Sequence, residues 1–563
     1  MSNFKKAFVK IGSALSVILV CMALILIVLQ KQTAAEQTAP EQTAAEQTTP
    51  EQTTPEQTEA EETGVEETGV VLANTTRPSA LDQPPAFDKQ NITVLNDDMP
   101  LPPPVRDLRF GAVQTYETPD VATAAGVGWT RVLLPWSELQ RDGADHWDEG
   151  YFRDDVLNEE LNANRQPVGL LIGTPAWASA AGGSRDVPEG LYLPYDHPNN
   201  HWGQFVKRIV QRYRGRIDYW ILWNEPDIWN NDQGTQSWNG TLEDYVQLLK
   251  VGYLAAKSVN NNAVIGAAAT TYWWDRAHQR ELYLTRMLQA IQQDPEAAAN
   301  NGFFDFVGLN LYYDPDQIYD IIRTYRQELN RNGFANKQVW LTETNAPPSN
   351  DPPVSAPFNM TLEQQSYFLI QTWAMSIASG ANRIESYKMK DGQYGGAAVL
   401  PYGIQRKDGT LRPLFWSYRT VVTYLSDYQG AELTREGEIR RVTVSRGRRG
   451  TTTVVWNKSL QAQTVNVPAT ANSALLVDAF GALRLIQPQN GQYTLRLPAR
   501  PGQGEQVGGR PFLIVEGAGA EMILDRPGPD DIPNIPPVDD PVISSLPATA
   551  TNEQASEAQV LPS

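Results

Sequence analysis

The chain of 563 residues holds a single cysteine, Cys21, so no intramolecular disulfide can staple it. Histidine is almost as scarce. The four present, at positions 146, 197, 201 and 278, show no His-Glu-x-x-His spacing. His197 and His201 are four apart, but Pro198 between them breaks any shared helical face. No phosphate-binding glycine loop occurs either, so neither a metal nor a cofactor is expected. Positive charge is also in deficit: 46 Lys and Arg against 65 Asp and Glu leave a net charge of −19, which disfavours nucleic acid and anionic surfaces as partners.

Against these absences stands one long apolar run. Lys5, Lys6 and Lys10 precede an uncharged stretch from Ile11 to Gln30, which at the helical rise spans roughly 30 Å, enough to cross a bilayer. The basic side stays inside. A cleaved signal peptide has a shorter apolar region, so the stretch reads as an uncleaved anchor, although Thr33-Ala34-Ala35 resembles a cleavage site. Val20 before Cys21 argues against lipid attachment. Next, Glu-Gln-Thr recurs from residues 36, 41, 46, 51 and 56 with prolines interspersed. Such a segment cannot build a core, and as a coil the linker to Pro85 reaches on the order of 40 Å. The expected organisation is a cytoplasmic 1–10, a transmembrane 11–30, a disordered linker 31–85, a barrel 86–430, a small β-sandwich 431–518 and a disordered tail 519–563.

Within the globular part, Ile217 to Leu222 is a buried-strand pattern leading into Trp223-Asn224-Glu225-Pro226-Asp227. Glutamate is rarely buried without a partner. Pro226 cannot donate to a sheet ladder, so the strand should end there and leave Glu225 on the rim. The same construction recurs over a hundred residues later, where Val339-Trp340-Leu341-Thr342-Glu343-Thr344-Asn345 is stopped by Ala346-Pro347-Pro348.

Strand and helix patterns alternate around these two sites. Leu108 to Val113, Trp129 to Leu134 and Val168 to Ile172 suit strands 1 to 3. The Glu225 run is strand 4, after a helix from His201 to Arg214 with Phe205, Ile209, Val210 and Tyr213 on one face. Val264 to Ala269 and Phe306 to Tyr312 suit strands 5 and 6. The Glu343 run is strand 7, and Arg383 to Tyr387 is strand 8. Helices are expected at Asp244 to Ser258, Ile318 to Leu329, Leu362 to Ala378 and Phe415 to Leu425. The fold class is α/β, a (β/α)8 barrel whose chemistry sits at the carboxyl ends of the strands.

Trp-Asn-Glu-Pro on one strand and a Thr-Glu-Thr-Asn strand end on a later one resemble glycoside hydrolase clan A, nearest to family 39, the β-xylosidase and α-L-iduronidase family, and related bacterial exopolysaccharide glycosidases. The resemblance implies that Glu225 is the acid/base, that Glu343 is the nucleophile and that Asn224 binds the sugar 2-hydroxyl. It also implies retaining cleavage of a β-linked oligo- or polysaccharide, with the two carboxyls about 5 to 5.5 Å apart. Parity places Tyr219, Ile221, Trp223 and Glu225 on one face, and Val339, Leu341 and Glu343 on another. Asn224 then points away unless a bulge turns it back. Arg131 on strand 2 is the natural cation for Glu343.

Strand 6 resembles the family's His-x-Tyr pattern, with Tyr312 kept to contact the nucleophile and Asn310 in place of the His. Gly173-Thr174-Pro175-Ala176-Trp177 is similar to the family's Thr-Pro-Ala-Trp, which implies that Trp177 stacks on a sugar. Tyr387-Lys388 stands where clan members place a Trp. Trp229, Trp238, Trp273 and Trp274 lie in the loops after strands 4 and 5, where they could wall a groove or a pocket. After the barrel, short strands at 439–445, 451–456, 464–467, 474–477, 493–497 and 511–515 suggest the β-sandwich. The chain is read as a monomeric, membrane-anchored enzyme with an extracytoplasmic barrel. The alternative is a surface carbohydrate-binding protein that has lost turnover.

Overall fold

The computed structural model describes residues 92–94, 106–229, 237–351, 358–392, 401–502 and 504–517. The expected membrane segment 11–30, the repeat within 31–85 and the tail 519–563 lie outside the described residues. No helix among the described residues is long and apolar enough to cross a membrane.

Eight parallel strands close into a barrel in sequence order: Phe110–Val113, Trp129–Pro135, Gln166–Ile172, Tyr219–Asn224, Val264–Thr270, Phe306–Asn310, Gln338–Thr344 and Arg383–Ser386. Each lies where the sequence pattern places it. The helices between them start where the chain can cap them. Thr241 and Asp244 form a reciprocal capping box at Leu242–Val259, as do Thr361 and Gln364 at Leu362–Ser379. Asn200 caps His201–Arg212 by accepting from the Gly203 N–H, and that helix buries Phe205, Val206, Ile209 and Val210.

The lower barrel interior is filled by Trp129, Val168, Leu170, Ile221, Phe306 and Trp340. Trp340 stacks on Phe306 with centroids 3.7 Å apart and meets Trp129 edge-on at 5.6 Å. Rings of this size fit because the adjoining strands give up their side chains: a Cβ at Gly111 would come within 2.3 Å of the Trp129 indole, and one at Gly266 within 2.3 Å of the Phe306 ring. The guanidinium of Arg383 lies over Trp340 at 4.4 Å and Tyr219 at 4.6 Å. A packed aromatic layer therefore plugs the barrel beneath the strand ends.

The C-terminal β region is a seven-stranded antiparallel sheet and a two-stranded ladder, Gln463–Pro468 with Gln492–Leu497. From one edge, the sheet runs Ile92–Val94, Leu483–Ile486, Ala474–Val477, Phe512–Glu516, Thr451–Asn457, Ile439–Ser445 and Gly430–Glu436. Ile92–Val94 precedes the barrel in the chain and pairs with Leu483–Ile486, a contact absent from the sequence reading. One sheet face shares a core with the two-stranded ladder, through Val455, Leu476 and Ile514 packed with Val467 and Leu495. The other face joins the barrel's own core through Val442, Val444, Leu475 and Val515. Leu362–Ser379 lies between, buried at every position except Leu362, Glu363 and Ala378. Asp316, at the start of Pro315–Arg331, receives Arg440 at 2.8 Å and Lys458 at 2.6 Å from the sheet side.

Candidate active site

The fourth strand ends irregularly. Trp223 and Glu225 both have left-handed backbones, with φ of 78° and 51°. Such conformations cost non-glycine residues about 1–3 kcal/mol each and concentrate at functional sites. The pairing with the fifth strand keeps a constant register from Tyr219↔Val264 to Asn224↔Ala269, so the expected bulge is not there. The left-handed turn at Trp223 does the work instead. Its indole leaves the barrel, donates to the Ser237 carbonyl at 2.9 Å and packs edge-on against Trp238. Asn224 and Glu225 then both face the mouth. Parity was wrong for Trp223, and Asn224 reaches the position that parity denied it.

Beyond Glu225, the loop is pinned. The Glu225 N–H donates to the Ala269 carbonyl at 2.8 Å, and the Ser237 hydroxyl donates to the Glu225 carbonyl. Asp227, fully buried, accepts from the Thr271 N–H at 2.8 Å and from its hydroxyl at 2.7 Å. Glu225 is held between the fourth and fifth strand ends.

A bulge does occur, on the seventh strand. Leu309 pairs with Leu341, but Asn310 pairs with Glu343, so one extra residue, Thr342, is inserted. Below it Trp340 faces the barrel interior, while Val339 and Leu341 face the helices. The shared face expected for Val339, Leu341 and Glu343 is thus broken, and the bulge is what aims Glu343 inward. Thr342 is not idle: its hydroxyl donates to the Leu309 carbonyl at 3.1 Å and to Asn310 Oδ1 at 3.0 Å.

The two carboxyls meet different surroundings. Glu343 accepts from Arg131 Nη2 at 2.6 Å on Oε1 and from the Tyr312 hydroxyl at 2.5 Å on Oε2, which suits a charged carboxylate. Glu225 accepts from Asn310 Nδ2 at 2.7 Å, a neutral donor. Burial, and after it the charge of Glu343, pushes Glu225 up to about 8, only partly opposed by the Asn310 hydrogen bond. Asn310 Nδ2 also lies 3.2 Å from Asn224 Oδ1, so one amide ties Asn224 to Glu225. The structure brings Glu225, Glu343, Asn224, Arg131, Tyr312 and Asn310 together. Trp177 stays apart from this cluster: its indole donates to the Gln140 carbonyl at 2.5 Å and its ring packs against Trp136 and His201.

Several neighbours had no role in the sequence reading. Glu385 on the eighth strand lies fully buried with Oε2 3.7 Å from Arg131 Nε, and burial pushes it up to about 8, opposed chiefly by Arg131. The alternation Arg383, Glu385 on a recognised strand was the signal for it. Tyr387 and Tyr402 meet edge-on at 5.1 Å, and both flank Tyr312, at 6.4 and 5.9 Å. Asn345 donates to the Tyr387 and Tyr402 carbonyls and accepts from Gln365 at 3.1 Å. Lys388 is buried, with Nζ 2.6 Å from Gln114 Oε1 and 3.5 Å from Glu117.

Three carboxyls with raised values, Asp227 and Glu385 fully buried and Glu225 half-buried, make stability depend on pH. Burial pushes Asp227 up to about 6, against the Thr271 hydrogen bonds, beside about 8 for Glu225 and Glu385. In the unfolded chain these groups ionise near about 4, so above that pH the unfolded state binds fewer protons. Their contribution is full below about 4 and is lost as pH rises towards about 8. Thermal melts of the full-length chain should show Tm falling across that window and the fall becoming shallower in Glu225→Gln. A slope unchanged by the substitution would contradict the raised value of Glu225.

No protein-family model and no curated protein matches the chain. Among solved structures, it is similar to a family 39 glycoside hydrolase from the gut symbiont Bacteroides cellulosilyticus WH2, at 16% identity over 73% of this chain and 81% of that one, with a TM-score of 0.55. It is also similar to a monomeric beta-xylosidase from Caulobacter crescentus CB15, at 12% identity over 74% and 97% of the two chains, TM-score 0.49. A GH30 endoxylanase from Clostridium papyrosolvens C71 aligns at 15% identity over 73% and 97%, TM-score 0.48. At such identities it is the fold that is shared, and the barrel read from the sequence agrees with the family 39 likeness.

Proposed function

We propose that this chain is a retaining glycoside hydrolase that cleaves β-linked oligo- or polysaccharides with Glu225 as acid/base and Glu343 as nucleophile. The observation that carries this is the unequal pair at the barrel mouth: one carboxyl held by a cation and a phenol, the other raised to about 8 and accepting from a neutral amide. Environments that push two carboxyls apart assign acid and base. The family 39 structure of similar fold supports the same reading.

In the first half of the cycle, a Glu343 oxygen bonds to the anomeric carbon while the bond to the leaving oxygen breaks. That oxygen takes the Glu225 proton. In the second half, Glu225 as carboxylate removes a proton from water, the water oxygen bonds to the anomeric carbon, and the ester to Glu343 breaks. Asn224 is assigned the sugar 2-hydroxyl, and Arg131 and Tyr312 orient Glu343. Incubating the full-length chain with a panel of aryl glycosides and polysaccharides should release sugar with retained anomeric configuration. Sugar binding without release would instead support the surface-binding alternative.

We further infer that residues 11–30 anchor the chain and that the repeat holds the barrel outside the cytoplasm. Recovery of the chain in the membrane fraction after alkaline carbonate washing is the expected result, and release into the supernatant would overturn it.

A further inference from the structure

Glu385 takes no part in the cycle above, yet packing does not explain it. It is fully buried, and neither oxygen makes a well-formed hydrogen bond. Isolated buried carboxyls are strongly disfavoured, and a neutral side chain of the same size would avoid the penalty. Its nearest ion-pair partner is Arg131 Nε, at 3.7 Å from Oε2. That same guanidinium uses Nη2 to reach Glu343 at 2.6 Å, and its Nη1 has no hydrogen bond. One cation therefore stands between two carboxyls, one on the seventh strand and one on the eighth.

The other groups facing Glu385 are few. Arg383 precedes it on its own strand and lies below among the rings. Tyr418, on the helix Leu414–Leu425, is a buried neighbour whose hydroxyl is spent on the Gly111 carbonyl at 3.0 Å. The first strand, Phe110–Val113, brings no titratable side chain. The charge of Glu343 is the one that changes during turnover. When Glu343 becomes an ester, Arg131 loses its closest counter-ion while the negative charge passes to Glu225.

We propose that Glu385 is a positioning residue that keeps Arg131 in place while Glu343 is esterified, so that the returning carboxylate finds its partner when water breaks the ester. The proposal rests on the glycosidase reading. It also carries a consequence independent of activity. Neutralising Glu343 removes a nearby negative charge from Glu385 and leaves Arg131 to it alone, so Glu385 should give up its proton to solvent more readily.

Both consequences can be measured on the full-length chain. Glu343→Gln imitates the uncharged ester. Carboxyl carbon resonances of labelled glutamate, with the Glu385 signal identified by its loss in Glu385→Gln, should titrate at a pH lower by about one or more in Glu343→Gln than in the wild type. An unmoved titration overturns the proposal. In steady-state assays with an aryl glycoside carrying an acidic phenol, kcat reports breakdown of the intermediate and kcat/KM its formation. Glu385→Gln should lower kcat by about tenfold while kcat/KM changes less than about twofold. Equal losses in both, or none, would mean a structural role only and overturn the proposal. A wild-type chain that cleaves no glycoside overturns the glycosidase reading, and the titration still decides whether Glu385 responds to the charge on Glu343.

Discussion

Glu343→Gln should abolish turnover, lowering kcat by about 10⁴-fold or more, because no covalent intermediate can form without the carboxylate. The amide is nearly the same shape; its oxygen can still accept from Arg131 while its NH2 donates to the Tyr312 hydroxyl oxygen, so the fold should survive. A melt close to that of the wild type beside the lost activity is the expected pair of results. In the wild type, a fluorinated sugar that forms the ester but resists its breakdown should add one sugar mass to the peptide containing Glu343. Labelling on any other carboxylate would displace the nucleophile assignment. Residual activity within tenfold of wild type would end the double-displacement reading.

The second large effect concerns Glu225. Replacing it with Gln removes the proton donor and should lower kcat/KM by about 10²–10⁴-fold for substrates with poor leaving groups. Acidic phenols leave without help, so their first step should suffer far less. The pH profile supplies the sign. Glu225 must be protonated to act as acid, and burial together with Glu343 holds its value at about 8. In the wild type kcat/KM should therefore fall as pH rises through about 8, and in Glu225→Gln that alkaline limb should be missing. Because Glu385 is raised to a similar value, the limb should persist in Glu385→Gln. Were it to vanish there and remain in Glu225→Gln, the acid would have been misassigned.

The barrel was legible because apolar runs ending in Glu-Pro or Glu-Thr-Asn are hard to place anywhere but at strand ends. Orientation was less so. Two-residue alternation holds only in regular strands, and both key strands leave regularity within three residues of the chemistry, through left-handed Trp223 and Glu225 and through the inserted Thr342. Alternation put Trp223 inside, whereas the structure spends its indole on the outer layer. Asn310 was visible only as a replaced histidine; its partner Glu225 lies on another strand, 85 residues away, which no local pattern encodes. In the C-terminal region, Gly430–Glu436 escaped notice because it is an edge strand with exposed, charged residues and little apolar alternation. Ile92–Val94 is three residues long and acquires meaning only from its partner, far along the chain.

The helix Leu362–Ser379 has a further consequence for anyone cutting this protein into parts. Gln365 reaches Asn345, just past Glu343, while Gln371 exchanges hydrogen bonds with Gly508 and Gly509 in the loop that leads into Phe512–Glu516. Truncation after the barrel would strip one side of a helix that has almost no water-facing surface and release the cations that clasp Asp316, a few residues past Tyr312. The C-terminal sheet is thus a backing plate behind the nucleophile side of the mouth. A barrel excised at residue 430 would be a poor stand-in for the whole, prone to aggregate through the bared helix and slack where Tyr312 and Glu343 need to be stiff.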